Sequence, residues 1–585
     1  MPAGSPSPRR RRFSRARLGG LGAALTLSLA GTLAGCGSSS PAGTTADPAG
    51  VVPSSAALYA GATVRPTGAQ ARAALATGRA LTHEADPYLR LLASLQTPGA
   101  PQLSYAKEVA PWLGPRAGIF LTSLKGASST LLSLVRQGLL GDTASSAFPF
   151  GADGAQGAIV LDTSNLAKAR GFVQDLARHA GAHSASYKGV GYESSSAGVA
   201  FGVVRRFAVI GSEAGMRAVI ETADGVSSLE HASGYAKLLA AAPPSALAHV
   251  YAGPASSSAQ PAGAHAPSGL LALLAGSREA NLSVVPASGS SASAGSLTID
   301  ADTLASTSSA TSGGFLAADP EGATALSELP GGSWLAIGLG HLGRTVGQDV
   351  QGLQSLTSLA STLGGAGPES TAGISIGGLL QGLLAPLGVL GADTPAAKRD
   401  FASWMGSGGM FASGASLLEL RGAVVISSKD PARSRAAVAE LSAGLRKAGG
   451  IVTPVRIAGT EAAAAARLSG LPVVLDIAAG RNAAGRAKFV IGIGEASVQE
   501  ALDPPSTMAH GAPSEAARNA LGEGAQPSMI LELPTLLSLL EGVGLTEAPS
   551  ISQFIPYLRA VTTLAGGGHS LGSEVERFKL VLSLQ

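Results

Sequence analysis

Cysteine is almost missing from this chain: Cys36 is the only one among 585 residues. No intramolecular disulfide can form, and neither a thiolate zinc site nor a dithiol redox site is available. Aromatic side chains are few, with 3 Trp, 8 Tyr and 13 Phe, which leaves little surface for stacking bases or sugar rings. Charge is sparse as well, at 14%. Acidic residues are absent from positions 1–35, which hold Arg9, Arg10, Arg11, Arg12, Arg15 and Arg17. Setting those six aside takes Lys+Arg from 41 to 35 against 38 Asp+Glu, so the formal charge passes from +3 to −3. The remainder therefore lacks the positive excess of a nucleic-acid binder. What is abundant is apolar side chain, 45% of residues, enough to bury large cores and to exclude wholesale disorder. Glycine reaches 79 residues, nearly twice the usual share of roughly 7%, and marks many turns.

Leu33-Ala34-Gly35-Cys36 closes an apolar run and resembles the lipobox of bacterial lipoproteins. The resemblance implies cleavage before Cys36, lipidation of Cys36 and a place on the extracytoplasmic face of the cell membrane. Residues 1–17 are strongly positive and Leu18–Leu33 is apolar. A helix of about 16 residues spans roughly 24 Å, short of the ~30 Å hydrocarbon core, so residues 1–35 read as a signal peptide rather than a permanent span. Arg10-Arg11-Arg12-Phe13 also matches the Arg-Arg-x-Phe export pattern, which a run of four arginines produces easily. Residues 36–50 are small, polar and punctuated by proline, the composition of a flexible tether. A diacylglyceryl group with an amide-linked acyl chain would anchor such a chain stably.

The rest of the chain shows one plan twice. A strand follows a proline turn at Val52-Pro53 and again at Leu329-Pro330. Trp112-Leu113-Gly114 and Trp404-Met405-Gly406 each precede a hydrophobic stretch, and the strands Gly157–Val160 and Gly422–Val425 are nearly the same letters. A helix follows each, with Asp162 expected to cap the first and Asp430-Pro431 to start the second. The buried stripes are expected at Leu166, Val173, Leu176 and Ala180, and at Val438, Leu441 and Leu445. Strands at Arg206–Gly211 and Lys488–Gly492, helices at Met216–Thr222 and Ser497–Leu502, and strands at Ala248–Tyr251 and Ser528–Leu531 continue the correspondence. The closing strands are Ser296–Ile299 and Phe578–Leu582. The expected fold class is α+β: two duplicated domains, 51–301 and 315–585, each a mainly antiparallel sheet with helices packed on one face. The Ser/Thr/Gly-rich residues 302–314 are the expected linker, and Pro254–Ser268 reads as a surface loop.

Three blocks carry a resemblance to a known family: the opening Val51–Gly61, Tyr105–Leu121, and Ser233–Gly253. The chain resembles uncharacterised bacterial exported proteins grouped as a domain of unknown function and common in actinobacteria and their relatives. The resemblance covers most of residues 51–585. It implies a membrane-associated or lipoprotein setting and no particular activity.

Several stretches spell catalytic motifs without their context. Gly568-His569-Ser570-Leu571-Gly572 has the Gly-x-Ser-x-Gly form of a nucleophile elbow, but no histidine follows it; the preceding Gly566-Gly567-Gly568 suggests a hairpin turn. Gly373-Ile374-Ser375-Ile376-Gly377 has the same form without a convincing strand before it. Gly338-Leu339-Gly340-His341-Leu342-Gly343 follows a strand as a dinucleotide fingerprint would, yet residues 355–368 carry no acid for the ribose. Ser104 and Lys107 have the spacing of a Ser-x-x-Lys motif without its companion signatures. His179 and His183 could share a helix face, but Gly181 lies between them and no acid completes a metal site. His83, Glu84 and Asp86 read as solvated surface. No catalytic, cofactor-binding or metal-binding residue is assigned, and lipidation at Cys36 is the one site.

Three functions follow from different classes. A non-catalytic envelope module, structural or protein-binding, fits the export signal and the missing catalytic set. A lipid or apolar-ligand binder fits the anchor, the paired domains and the Leu-rich stretch Leu379–Leu390. A hydrolase would have to use Ser375 or Ser570.

Overall fold

The computed structural model describes residues 46–82, 105–123, 150, 155–254, 279–288, 295–304, 320–340, 342–343, 402–416, 418–468, 473–542, 544–547, 552 and 555–585. Ten strands come from the residues up to 304: β1 Leu58–Thr63, β2 Leu113–Leu121, β3 Gly157–Thr163, β4 His183–Tyr187, β5 Val190–Ser194, β6 Val199–Val204, β7 Phe207–Ser212, β8 Ala248–Ala252, β9 Ala280–Ser288 and β10 Gly295–Leu304. Ten follow: β11 Leu335–Leu339, β12 Met405–Ser413, β13 Arg421–Ser428, β14 Ile451–Pro454, β15 Thr460–Arg467, β16 Val474–Arg481, β17 Ala487–Ile493, β18 Gln526–Glu532, β19 Val561–Leu571 and β20 Val575–Leu584. The helices are α1 Gly68–Thr82, α2 Leu166–His179, α3 Glu213–Ala223, α4 Ser233–Ala241, α5 Pro320–Ser327, α6 Pro431–Lys447, α7 Gly494–Leu502, α8 Ala512–Leu521, α9 Leu533–Gly542 and α10 Ile555–Arg559.

All twenty strands join one open sheet, and every neighbouring pair among them is antiparallel. From one edge the order is β4-β5-β6-β7-β3-β2-β1-β8-β9-β10, and it continues β20-β19-β18-β11-β12-β13-β17-β16-β15-β14 to the other edge. Each half threads its ten strands by the same route, and the halves meet where β10 lies along β20 from Gly295–Leu584 to Leu304–Val575.

Helices cover both faces, which corrects the expectation of one. All seven residues of β3 are buried, the pattern of a strand with packing on either side. Ile159 and Leu161 share a core with Phe172 and Val173 of α2. Ala158 and Val160 share the opposite core with Met216 and Val219 of α3 and Leu238 of α4. The second half repeats this, with Val438 and Leu441 of α6 on one face and Val498 of α7 and Leu521 of α8 on the other. Each Trp-x-Gly signal sets an indole into a core, on different partners: Trp112 packs on Phe172 of α2 at 5.1 Å and Trp404 on Phe489 of β17 at 5.0 Å between ring centres. A Cβ at Gly114 would sit 2.4 Å from Asp162 Oδ2, so a larger residue there must displace that carboxylate.

The first helix is capped differently from the expectation. Asp162 stays inside β3, and Asn165 caps α2 by accepting the Lys168 N–H at 3.1 Å. Leu166, at the tip of α2, is 39% exposed, while Ala169, Phe172, Val173 and Ala177 are buried. Asp430 caps α6 as expected, with Pro431 in the first turn and Val438, Leu441 and Leu445 buried. Folded structure also begins before the expected end of the tether. Asp47 caps a short 3₁₀ turn at Pro48–Val51 in which Pro48, Ala49 and Val51 are buried. The linker starts later than expected, because Asp302 to Leu304 are the last residues of β10. Gly566, Gly567 and Gly568 lie inside β19 rather than in a hairpin turn, which falls at Gly572 with φ +74°.

Candidate functional site

Alternation in six adjacent strands places two rows of polar residues on one face of the sheet, crossing the junction of the halves. Residues paired directly across antiparallel strands share a face, as do residues two apart along one strand. One row runs Tyr59, Tyr251, Asn281, Asp302, Arg577, His569. The other runs Gly61, His249, Ser283, Asp300, Lys579, Gly567. Asn281, Ser283, Asp300 and Asp302 are all at most 2% exposed.

Charge is paired at the junction. Arg577 grips Asp302 with two bonds, Nε to Oδ1 at 2.6 Å and a terminal nitrogen to Oδ2 at 2.8 Å. It also donates to the Ala241 carbonyl at the end of α4 at 2.7 Å, and lies 3.8 Å from Asp300 Oδ2. Lys579 donates to the Leu521 carbonyl at the end of α8 at 3.0 Å. Both cations thus sit at helix C-termini, where the backbone carbonyls are partly negative. Burial pushes the Asp300 carboxyl upward against the opposing pull of Arg577 and Lys579.

At the first-half end of the rows, Tyr59, Tyr235, Tyr251 and His249 form an aromatic cluster, with Tyr235 and Tyr251 edge-to-face at 5.2 Å. Burial lowers His249 to about 4, so the ring is neutral at pH 7. With its hydrogen on Nδ1, Nε2 accepts the Tyr235 hydroxyl at 3.1 Å. Tyr251 donates to Glu279 at 2.8 Å. Tyr59 reaches Asp47, which also pairs with Arg116, so this cluster holds the start of the folded chain. A side chain at Gly61 would strike the His249 ring at 2.6 Å.

His249, Ser283 and Asp300 are register neighbours, yet they do not make a nucleophilic triad. Catalysis needs the imidazole between the carboxylate and the hydroxyl; here Ser283 stands between them. Ser283 is also fully buried and takes a 3.0 Å bond from the Asn281 amide.

A second feature is concave. A cleft of about 410 Å³ opens in the second half beside the turn after β16, within the usual size range of small-molecule sites. Its floor includes Leu329, Val425 and Leu502, and its polar wall Glu328, Ser427, Asn482, Arg486 and Lys488. Ser427 of β13 faces Lys488 of β17 across the ladder. The Lys488 side chain is only 6% exposed; it donates to Glu328 at 2.6 Å and to Ser427 Oγ at 2.8 Å. Arg486 pairs with the same Glu328 carboxylate. Lys488 Nζ donates to Ser427 Oγ, so it faces the hydroxyl as a donor and not as a base.

The sequence motifs fall elsewhere. Ser570 lies in β19 opposite Glu576 of β20, in a strand–turn–strand hairpin rather than a strand–turn–helix elbow. Gly338 is needed for packing: a Cβ there would come within 1.9 Å of the Gly322 carbonyl of α5. His179 ends α2 and bonds the Asp175 carbonyl at 2.7 Å, whereas His183 begins β4, so they share no helix. Lys107 lies in a π-helical turn, Tyr105–Val109. Cys36, His83, Glu84, Asp86, Ser104, His341, Ser375, Leu379–Leu390 and most of Pro254–Ser268 lie outside the described residues. Among the described residues no helix is long and apolar enough to cross a membrane, and no three His, Cys, Asp or Glu cluster as a metal site would require. The polar rows are hidden in the sequence because Asp302 falls at the start of the Ser/Thr/Gly-rich stretch that reads as linker. The available signal was period-two charge, Asp300-x-Asp302 and Arg577-x-Lys579, inside otherwise apolar strands.

No curated protein and no solved structure matches the chain. Residues 19–507 match the family described as "Protein of unknown function (DUF3352)", and the chain belongs to that family. The match ends before β18, β19 and β20.

Proposed function

We propose that this family member is a lipid-anchored protein of the extracytoplasmic face of the cell membrane, acting as a non-catalytic structural or interaction module made of two duplicated α+β domains. The observation that carries the reading is the lipobox Leu33–Cys36 followed, after residues 37–45, by a segment that docks on the sheet through Asp47, Arg116 and Tyr59. A chain leaving a lipidated Cys36 would thus have roughly 30 Å of reach before it is held. The shared strand route of the two halves supports duplication, and one continuous sheet favours a rigid platform over two moving lobes. Signal cleavage after Gly35 would leave a module whose partners are the membrane, through Cys36, and an envelope protein or lipid. Nucleic acid, cofactors and metals have no part in this reading.

Metabolic labelling with an alkynyl palmitate tests it. Wild-type protein takes the label and stays with membranes; Cys36→Ser takes none and leaves the mature membrane-bound form. Equal labelling of both, or recovery of unlabelled wild type from the cytoplasm, would overturn the anchor. A second reading, apolar-ligand binding, is favoured by the cleft beside Lys488.

A further inference from the structure

We propose that the cleft of the second half is a binding site for a small amphipathic organic anion, its charged head on the Ser427–Lys488–Asn482 wall and its apolar body on Leu329, Val425 and Leu502. This deepens the apolar-ligand reading and does not depend on the anchor at Cys36.

The polar wall offers donors. An ammonium carries three protons, of which Lys488 uses two on Glu328 and Ser427. Ser427 Oγ accepts from Lys488, which leaves its own O–H to donate. Asn482 spends its carbonyl on the Arg486 N–H at 2.8 Å, so its amide hydrogens remain for the cleft. The one carboxylate within the wall, Glu328, is shared by two cations, Lys488 and Arg486. That triplet carries a net charge of +1. Asp503 also lines the cleft and brings its four charged groups to a sum of zero, but Asp503 and Arg486 both stand exposed, where water screens them, whereas the Lys488 ammonium is buried. A wall of donors around a buried ammonium recognises an anion.

The floor sets the rest of the ligand. Leu329, Leu502 and Val425 line it but are only 3%, 2% and 6% exposed, so they form a packed, dry apolar seat, and the water lost on binding comes mainly from the ligand's own apolar surface. A volume of about 410 Å³ holds roughly a dozen heavy atoms if each takes a little more than the ~30 Å³ of a liquid water. The ligand class is therefore a carboxylate or phosphate on a chain or ring of about ten carbons, not a whole two-chain lipid.

Decanoate is the probe, titrated calorimetrically below its micelle concentration into the full chain carrying Cys36→Ser. Expected is saturable one-to-one binding, with no comparable binding of decyltrimethylammonium. Lys488→Met weakens it at least tenfold, and so does Ala483→Trp, which places an indole at the mouth from an exposed turn. If Lys488→Met fails to fold, Arg486→Gln, at an exposed position, should weaken binding several-fold and Ala483→Trp decides occupancy. No saturable decanoate binding overturns the proposal, as does binding unchanged by Ala483→Trp. Tighter binding of decyltrimethylammonium would assign the recognition to Asp503 instead. Labelling of Ser427 by a fluorophosphonate would make the Ser427–Lys488 pair a nucleophile and its activator, which also overturns it. Cys36 labelling is untouched by any of these outcomes, so the anchor and the cleft stand or fall separately.

Discussion

His249 shows how one buried side chain links pH to stability. Its folded value, about 4, lies below the ordinary value of 6.5. The unfolded chain therefore binds the proton first as pH falls, and stability is lost between about 6.5 and 4. The contribution reaches up to about 3 kcal/mol at the acid end, from ~1.36 kcal/mol per unit. In His249→Gln the acid limb of a chemical-denaturation series should flatten over that window, while stability at pH 8 changes less. An unchanged acid limb would show that the imidazole already escapes to water in the folded protein. Tyr59 and Tyr251 stay neutral throughout, since burial pushes both phenols upward.

Secondary-structure elements here are placed by contacts that a one-dimensional pattern records only indirectly. The glycine pattern at Gly338-x-Gly340 invites a phosphate, but the strand carries Gly338 so that α5 can cross β11 at backbone contact. Gly338→Ala should cost about 1–3 kcal/mol, the usual range for overpacking a filled site, measurable as a lower unfolding midpoint, and it should leave dinucleotide binding unchanged at none. A neutral substitution would mean that α5 slides freely. The α2 stripe teaches the same lesson. Ala169, Phe172, Val173 and Ala177 face the sheet, not Leu166, because Trp112 seats against Phe172 and fixes the rotation. Aspartate at a strand end likewise looked like a cap; Asp162 is held within the sheet by Arg206 at 2.8 Å.

At the scale of the molecule, the junction decides whether the halves behave as one. β10 and β20 share ten paired positions, and the Arg577–Asp302 pair is buried between them. Removing one partner of a buried pair typically costs about 3–5 kcal/mol, because the other charge is left unsatisfied. Calorimetry of wild type should show strongly coupled unfolding of the halves. Arg577→Met should separate two transitions, and the added change Asp302→Asn should recover part of the loss by removing the stranded carboxylate. Independent transitions already in wild type would mean the seam carries little coupling.

Much of this architecture was legible in the chain. The strands at Gly157–Val160 and Gly422–Val425 and the α6 cap at Asp430 follow from periodicity, proline and cap chemistry, which act over a few residues. The candidate lipid anchor at Cys36 is likewise a local signal. The tertiary structure decided the rest. Asp302 and Arg577 are 275 positions apart, and no local pattern couples them; only the pairing of β10 with β20 does. The same holds for Glu328 and Lys488, separated by 160 positions and joined at the cleft. Helices on both faces were also decided there, since a strand buried on two sides has no alternation to read. Local propensity wrote the elements, and long-range pairing chose which polar residues would meet.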